Sequence, residues 1–112
     1  SKMNISKEHE EKIEEIQLLE QSLQSLLQQK QRFQNELIEI ENALNELNKA
    51  NSKPYKIINS IMFEAEPEDL KKELSSKKEV IDIRIKSINK QEQITRKKAE
   101  MLQKEVLKDI KS

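Results

Sequence analysis

The sequence predicts a mainly α-helical protein in which two long helices form an antiparallel intrachain coiled coil joined by a single β-hairpin. Charged residues make up 38% of the chain, aromatic residues make up 3%, and glycine is absent. This composition supplies too little apolar bulk for a thick globular core, but it suits long helices that pack along a narrow seam. Heptad repeats in both halves, with a short apolar segment between Pro54 and Pro67, complete the prediction.

The first helix is predicted over residues 6–51, with Ser6 as its N-cap. From Ile16 onward the apolar residues recur with coiled-coil spacing, and nine of ten seam positions are apolar. Such a repeat favours a coiled coil over the disorder that a strongly charged chain could otherwise adopt. The ten positions are Ile16, Leu19, Leu23, Leu26, Lys30, Phe33, Leu37, Ile40, Leu44 and Leu47.

The segment 55–66 is predicted to form the β-hairpin, with a two-residue turn at Asn59 and Ser60. Alternation then gives the hairpin two apolar faces, and an isolated two-stranded ribbon with open edges is marginal in water. We therefore expect other hairpins to cover it, so that the protein is an oligomer assembled through this segment. One face carries Tyr55, Ile57 and Met62, and the other carries Ile58, Ile61 and Phe63.

The second helix is predicted over residues 67–110 and begins at Pro67, a residue favoured at the first helical position. Its seam is weaker, with seven of ten positions apolar. The residues 1–112 as a whole are expected to form a single domain. The seam positions are Leu74, Lys78, Ile81, Ile85, Ile88, Glu92, Thr95, Ala99, Leu102 and Val106.

The similar lengths of the two helices predict that they fold back on each other, with paired residue numbers that sum to about 121. This register places Lys30, the polar seam residue of the first helix, beside Glu92. We expect the two side chains to approach each other and to help fix the register. The alternative is that Lys30 extends its ammonium group into water.

The charge balance and the missing residue types exclude several classes of function. Lys and Arg total 21, as do Asp and Glu, so the formal charge is zero and neither nucleic acid nor a membrane is the expected partner. The chain has no Cys, no glycine-rich phosphate loop and no catalytic Ser-His-acid set, so we expect neither an enzyme nor a cofactor. No apolar run approaches membrane-spanning length, which leads us to expect a cytoplasmic protein.

His9 is the only histidine, and Glu8, Glu10 and Glu11 flank it. This grouping could be interpreted as part of a metal site. Because His9 lies near a chain end, a solvated side chain is the favoured interpretation, and we expect no metal.

Apolar residues gather near both ends of the chain, and some of them lie off the seam. Exposed apolar groups on a charged helix could bind unfolded polypeptides, and flexible Met and aliphatic side chains suit promiscuous contact. The alternative is ordinary surface exposure. The candidate client-binding residues are Ile5, Ile13, Ile16, Leu18, Leu19, Met101, Val106, Leu107 and Ile110.

Several short stretches together carry a recognisable pattern: residues 28–31 in the first helix, 55–56 and 61–63 in the hairpin, and 73–74, 77–79 and 84–92 in the second helix. With the single hairpin, they resemble the β class of prefoldin subunits, closest in pattern to the archaeal β subunit or its nearest eukaryotic relative. One difference is Asn59, which stands where that family usually has glycine.

The resemblance implies a hetero-hexamer of two α-type and four β-type subunits, whose hairpins form a β-barrel platform. The coiled coils would hold non-native proteins at their distal tips and pass them to a group II chaperonin without using a nucleotide. In this interpretation Tyr55, Ile57, Ile58, Ile61, Met62 and Phe63 carry subunit assembly.

Two other functions remain open at this point. The chain could be a structural coiled-coil module whose helices pair between chains, with the central segment as a plain linker. It could also be a helical arm that binds RNA through lysine clusters at 71–72, 77–78 and 96–98. Interleaved glutamates, and the lack of an aromatic residue free to stack on bases, make RNA binding the weaker alternative.

Overall fold

The computed structural model describes residues 6–49, 51 and 53–111. Helix α1 spans Lys7–Lys49, strands β1 and β2 span Tyr55–Ile58 and Ile61–Glu64, and helix α2 spans Pro67–Lys111. The predicted fold class, two long helices with one antiparallel hairpin between them, is confirmed. Helix α1 ends at Lys49, before the predicted residue 51.

Both helices begin where the local sequence predicts. The Ser6 hydroxyl accepts a hydrogen bond from the backbone N–H of His9 at 3.2 Å, which satisfies one of the free donors of the first turn. Helix α2 starts at Pro67, whose missing N–H costs nothing at that position. Glu68 and Asp69 follow in the first turn, where negative charge is favourable.

The hairpin turns tightly between Ile58 and Ile61, which are directly paired across the two strands. Asn59 and Ser60 have φ angles of 48° and 67°. Positive φ at both central residues is the pattern of a type I′ turn, whose twist matches that of the flanking strands. At the open end of the hairpin the N–H of Ala65 donates to the carbonyl of Pro54 at 2.9 Å, so pairing continues beyond the strands.

Residue contacts divide the chain into two compact units. The first contains residues 1–30 and 86–112, and the second contains residues 31–85. In the first unit Lys12 contacts Asp109 at 3.5 Å and Lys30 contacts Glu92 at 2.8 Å, so α1 and α2 run antiparallel there. These residue numbers sum to 121 and 122, close to the predicted register.

The second unit contains the hairpin and has the same antiparallel arrangement of its helical segments. There Lys78 contacts Glu41 at 3.6 Å, and these numbers sum to 119. The guanidinium of Arg84 lies 5.8 Å from the centre of the Phe33 ring, within the range of a cation–π contact. The expectation that residues 1–112 form a single domain stays a prediction.

The apolar core of each unit is the narrow seam between its two helical segments. Every seam position predicted from the heptads is buried or half-buried, which confirms the repeat as the packing surface. Over the part of the chain that the structure covers, neither helix is long and apolar enough to cross a membrane. The buried residues are Leu26, Ile88, Ala99 and Val106 in the first unit, and Ile40 and Ile81 in the second.

Replacing Ile81, which is 4% exposed, with Ala should destabilise the protein by about 2–5 kcal/mol. The loss has two sources: the transfer free energy of the removed methyl groups and the cavity left in the seam. Urea unfolding followed by far-ultraviolet circular dichroism measures the change.

The matched control is Ile83→Ala on the same helix, where the side chain is 66% exposed. It should change the free energy of unfolding by about 0.5 kcal/mol or less. Equal effects of the two substitutions would show that the seam is not the core.

Candidate functional site

Both faces of the hairpin carry exposed apolar side chains. Ile57 pairs with Met62 on one face, and Ile58 pairs with Ile61 on the other. The six apolar side chains of the strands are between 46% and 68% exposed, and none of the described residues covers them. An apolar surface of this kind on a two-stranded ribbon is suited to contact with another protein. The six residues are Tyr55, Ile57, Ile58, Ile61, Met62 and Phe63.

A charged contact ties the hairpin to helix α2. The ammonium group of Lys56 in β1 lies 2.8 and 2.7 Å from the two carboxylate oxygens of Glu73. The hydrogen bond from Lys56 lowers the pKa of the Glu73 carboxyl against the opposing effect of burial. The contact links β1 to the first part of α2. Sequence reasoning missed it, because the heptad register pairs residues of the two helices and does not relate a strand residue to a helix residue.

Beside the hairpin, a groove of about 310 Å³ lies where the chain leaves the helices. Tyr55 lines it from the hairpin, and Leu47, Leu70 and Leu74 line it from the helices. Because Tyr55 is also 62% exposed, its ring joins the groove to one apolar face of the hairpin.

The predicted approach of Lys30 and Glu92 is present within the first unit. The Lys30 ammonium donates to Glu92 Oε2 at 2.8 Å, and each side chain is 20% exposed. Arg96 donates to the other oxygen of Glu92 at 3.3 Å. The hydrogen bond from Lys30, followed by that from Arg96, lowers the pKa of the Glu92 carboxyl although burial opposes the shift. The role of this pair in fixing the register stays a prediction.

The structure separates the candidate client-binding residues into three groups. Leu18, Met101, Leu107 and Ile110 are between 47% and 63% exposed. Ile13, Ile16 and Leu19 are half-buried, the last two at seam positions, and Ile5 lies outside the described residues. Val106 is 8% exposed, because as a seam residue it packs between the helices, and its role in client contact stays a prediction.

The expectation of a solvated His9 was wrong. Its Nε2 lies 2.8 Å from Asp109 Oδ2, and its side chain is 18% exposed. The hydrogen bond from His9 and the charge of Lys12 lower the pKa of the Asp109 carboxyl, while burial opposes them. Lys12 also contacts Glu105 at 3.5 Å. Charged contacts therefore join α1 to α2 near both ends of the chain.

Sequence reasoning missed five exposed apolar residues on the helices. They are between 49% and 66% exposed and lie outside the predicted seam positions. Searching for apolar residues that the heptads do not explain would have found them. The residues are Leu27, Ile38, Val80, Ile83 and Ile94.

Comparison with known proteins relates this chain to one family. The family model for prefoldin subunits matches residues 10–112. The prefoldin subunit beta of Caldivirga maquilingensis is 33% identical over 96 residues, covering 84% of this chain and 79% of that protein. The prefoldin subunit beta of Saccharolobus islandicus is 36% identical over 93 residues, covering 81% of this chain and 74% of the relative.

The fold also matches a solved structure. The crystal structure of the prefoldin beta subunit from Thermococcus strain KS-1 superposes with a TM-score of 0.91 and covers 99% of each chain. The sequence identity is 24%, so this match concerns the fold.

A double-mutant cycle with Lys30→Met and Glu92→Gln should show a stabilising coupling at neutral pH. Because the pKa of Glu92 is lowered in the folded protein, this stabilisation is present above the carboxyl's ordinary pKa. It should be lost as the pH falls through the lowered value and the carboxylate takes up a proton. Chemical unfolding of the four proteins over a series of acidic pH values measures the coupling.

The pair Lys53 and Glu66 serves as the control, because its side chains are 53% and 62% exposed. Water and salt screen such a pair, so its cycle should show little coupling at any pH. An equal coupling free energy for both pairs would contradict a stabilising contact between Lys30 and Glu92. A coupling between Lys30 and Glu92 that does not change with pH would also contradict it.

Proposed function

Because this chain belongs to the prefoldin subunit family, we propose that it is the β-type subunit of a hetero-hexamer that acts as an ATP-independent holdase. Family membership implies assembly with other prefoldin subunits, and the proposed partners are α-type and further β-type subunits. The complex would bind non-native proteins and pass them to a group II chaperonin. The cytoplasmic location stays a prediction.

The exposed hairpin is the observation that carries this proposal. Six apolar side chains stand in water on its two faces, and both strand edges have unpaired backbone groups. Burying such a surface against other hairpins removes apolar area from water, at about 25 cal/mol per Å². Strands added from other subunits would also form hydrogen bonds with the unpaired backbone groups at the hairpin edges. Assembly therefore resolves the two features that make the hairpin unfavourable by itself.

Client contact is assigned to the exposed apolar residues near the ends of the helices. Leu18, Met101, Leu107 and Ile110 offer flexible aliphatic or thioether side chains that adapt to many sequences. A single contact of this kind is weak. Several helical ends joined in one assembly raise the effective concentration of each for the same client, so the combined binding is much stronger.

The two alternative functions, a structural coiled-coil module and an RNA-binding arm, fit the observations less well. A coiled-coil module with helices paired between chains does not account for the intrachain contacts of Lys30 with Glu92 and of Lys78 with Glu41. An RNA-binding arm needs an excess of positive charge, whereas this chain has 21 positive and 21 negative residues.

Replacing Ile58, Ile61 and Phe63 together with Ser should prevent assembly with α-type partner subunits, because it removes one apolar face of the hairpin. Sedimentation velocity of the mixed subunits should then show smaller species than with the unchanged chain. The control carries Ile38→Ser and Ile83→Ser, at exposed helical positions in the same unit, and should assemble normally. Normal assembly of the triple variant would rule out this face as the interface.

Replacing Leu107 and Ile110 with Ser should leave assembly intact and weaken the suppression of client aggregation. These side chains are 57% and 47% exposed, so the seam keeps its packing while client contact is lost. Light scattering from a heat-denatured reporter enzyme measures suppression, and sedimentation verifies assembly. The control is again the variant with Ile38→Ser and Ile83→Ser, which should suppress aggregation as the unchanged chain does. If the Leu107 and Ile110 variant also suppresses aggregation normally, these two residues do not contact the client.

A further inference from the structure

The seam between α1 and α2 is incomplete at the hairpin end of the second unit. Further along the same unit, Ile40 and Ile81 are 6% and 4% exposed. Leu47 and Leu74 also occupy seam positions, yet they are only half-buried. Helix α1 ends at Lys49, two residues after Leu47, so it has no further turn to cover these side chains. Apolar side chains of the seam are therefore open to contact from outside the chain.

The groove beside the hairpin gives access to this end of the seam. It encloses about 310 Å³, and every residue that lines it belongs to the second unit. This volume is at the small end of the range of ligand pockets, about 300–1,000 Å³, so it suits one large side chain of a partner. The apolar lining residues are Ala43, Leu47, Pro54, Tyr55, Leu70 and Leu74.

The border of the groove is acidic. Glu46 lines the groove, and Glu64 lies on the hairpin face that adjoins it. Within the described part of the chain, neither carboxylate forms an ion pair. Lys53 also lines the groove, but its ammonium is bound to Glu66 at 2.9 Å. Its pKa is raised first by the hydrogen bond to Glu66 and less by the charge of Glu64. Even if Lys49 on the last turn of α1 is included, carboxylates outnumber lysines here.

We propose that this surface, the hairpin-base groove, binds one large apolar side chain of a different prefoldin subunit, carried next to a lysine or arginine. The inference rests on the proposed assembly through the hairpin. It adds to the interface residues of both helices, which that proposal does not include. The hairpin-base groove is defined by Ala43, Leu47, Tyr55, Leu70 and Leu74, with Glu46 and Glu64 at its border.

Continuity with the hairpin is the first argument for this occupant. Tyr55 lines the groove and shares one apolar face of the hairpin with Ile57 and Met62. A subunit that covers this face therefore also reaches the opening of the groove. Its apolar side chain would contact Leu47 and Leu74 there and remove their exposed area from water. One partner would thus cover the hairpin face and complete the end of the seam.

Charge is the second argument, and it separates a different subunit from a second copy of this chain. The exposed apolar residues of β2 are followed by Glu64, which would meet the acidic border of the groove with like charge. Lys56 is the lysine of the two strands, and its ammonium is already bound to Glu73 at 2.7 Å. A subunit with an apolar residue beside an unpaired lysine or arginine matches both the groove and its border.

Protection of a thiol in the groove tests the proposal directly. The chain has no Cys, so Ala43→Cys places one thiol in the groove wall of the full-length chain. Its reaction with iodoacetamide is followed by intact-mass spectrometry, for the chain alone and after assembly with α-type partner subunits. The reaction should slow about tenfold on assembly, because the occupant covers the thiol.

The matched control for the thiol is Asn45→Cys. Asn45 is exposed and does not line the groove. It is rotated by about 200° from Ala43 around the helix. Its labelling rate should change by less than about twofold on assembly.

A second measurement fills the groove. Ala43→Trp should weaken assembly with α-type partners about tenfold, since the indole takes the space of the incoming side chain. Sedimentation velocity over a concentration series measures the affinity, and thermal unfolding verifies that the variant folds. Asn45→Trp is the control and should assemble as the unchanged chain does. The thiol experiment decides the matter if Ala43→Trp does not fold.

A third measurement reverses the charge of the border. Glu46→Lys combined with Glu64→Lys should also weaken assembly about tenfold, because the partner's cation would then face like charge. Added salt should weaken assembly of the unchanged chain more than assembly of this variant. The control is Glu39→Lys with Glu79→Lys, at exposed positions of the same unit, which should assemble normally.

Several outcomes would overturn the inference. Equal protection of the two thiols would show that assembly does not cover the groove. Protection of Ala43→Cys in the chain alone would make a second copy the occupant, and protection by unfolded α-lactalbumin without partner subunits would make it a client. Normal assembly of a folded Ala43→Trp variant would also reject the groove.

The groove and the hairpin can fail separately. If the groove variants assemble normally while the variant of Ile58, Ile61 and Phe63 does not, assembly through the hairpin stands and only the groove is rejected. If the unchanged chain does not assemble with α-type partners, both proposals fail.

Discussion

The narrow seam between α1 and α2 is the interaction on which the rest of the structure depends. With 3% aromatic residues and no glycine, the chain cannot build a thick core or many tight turns. Its apolar residues are instead spaced every three or four positions, so each side chain is buried between two helices rather than among many. The most buried residues, such as Ile81 and Ile88, still retain 4–5% exposure.

A seam of this kind leaves the hairpin without cover. The helices use their apolar stripes on each other, and the strands keep two apolar faces in water. The contact between Lys56 and Glu73 links the hairpin to α2. The helices are therefore packed within the chain, whereas both faces of the hairpin stay exposed.

Charge is distributed unevenly along the helices. Near the chain ends, pairs such as Lys12 with Asp109 and Lys98 with Glu15 join α1 to α2. Further along α1, residues 16–29 are almost free of charge. Ionic contacts are directional and select one register, whereas neutral amides and hydroxyls accept many partners. The charged contacts therefore favour one pairing of the two helices.

The sequence by itself determined the element order, the seam and the turn. Heptad spacing, Pro67 and the pair Asn59–Ser60 are local signals, and local backbone preferences are enough to interpret them. The proximity of Lys30 and Glu92 could also be predicted, because the antiparallel register follows from the lengths of two similar helices.

Only the tertiary structure decided which polar groups outside the seam meet. It paired His9 with Asp109 and joined Lys56 to Glu73. The physical reason is that such contacts depend on side-chain rotamers and on how the hairpin lies on the helix, and the spacing of apolar residues encodes neither.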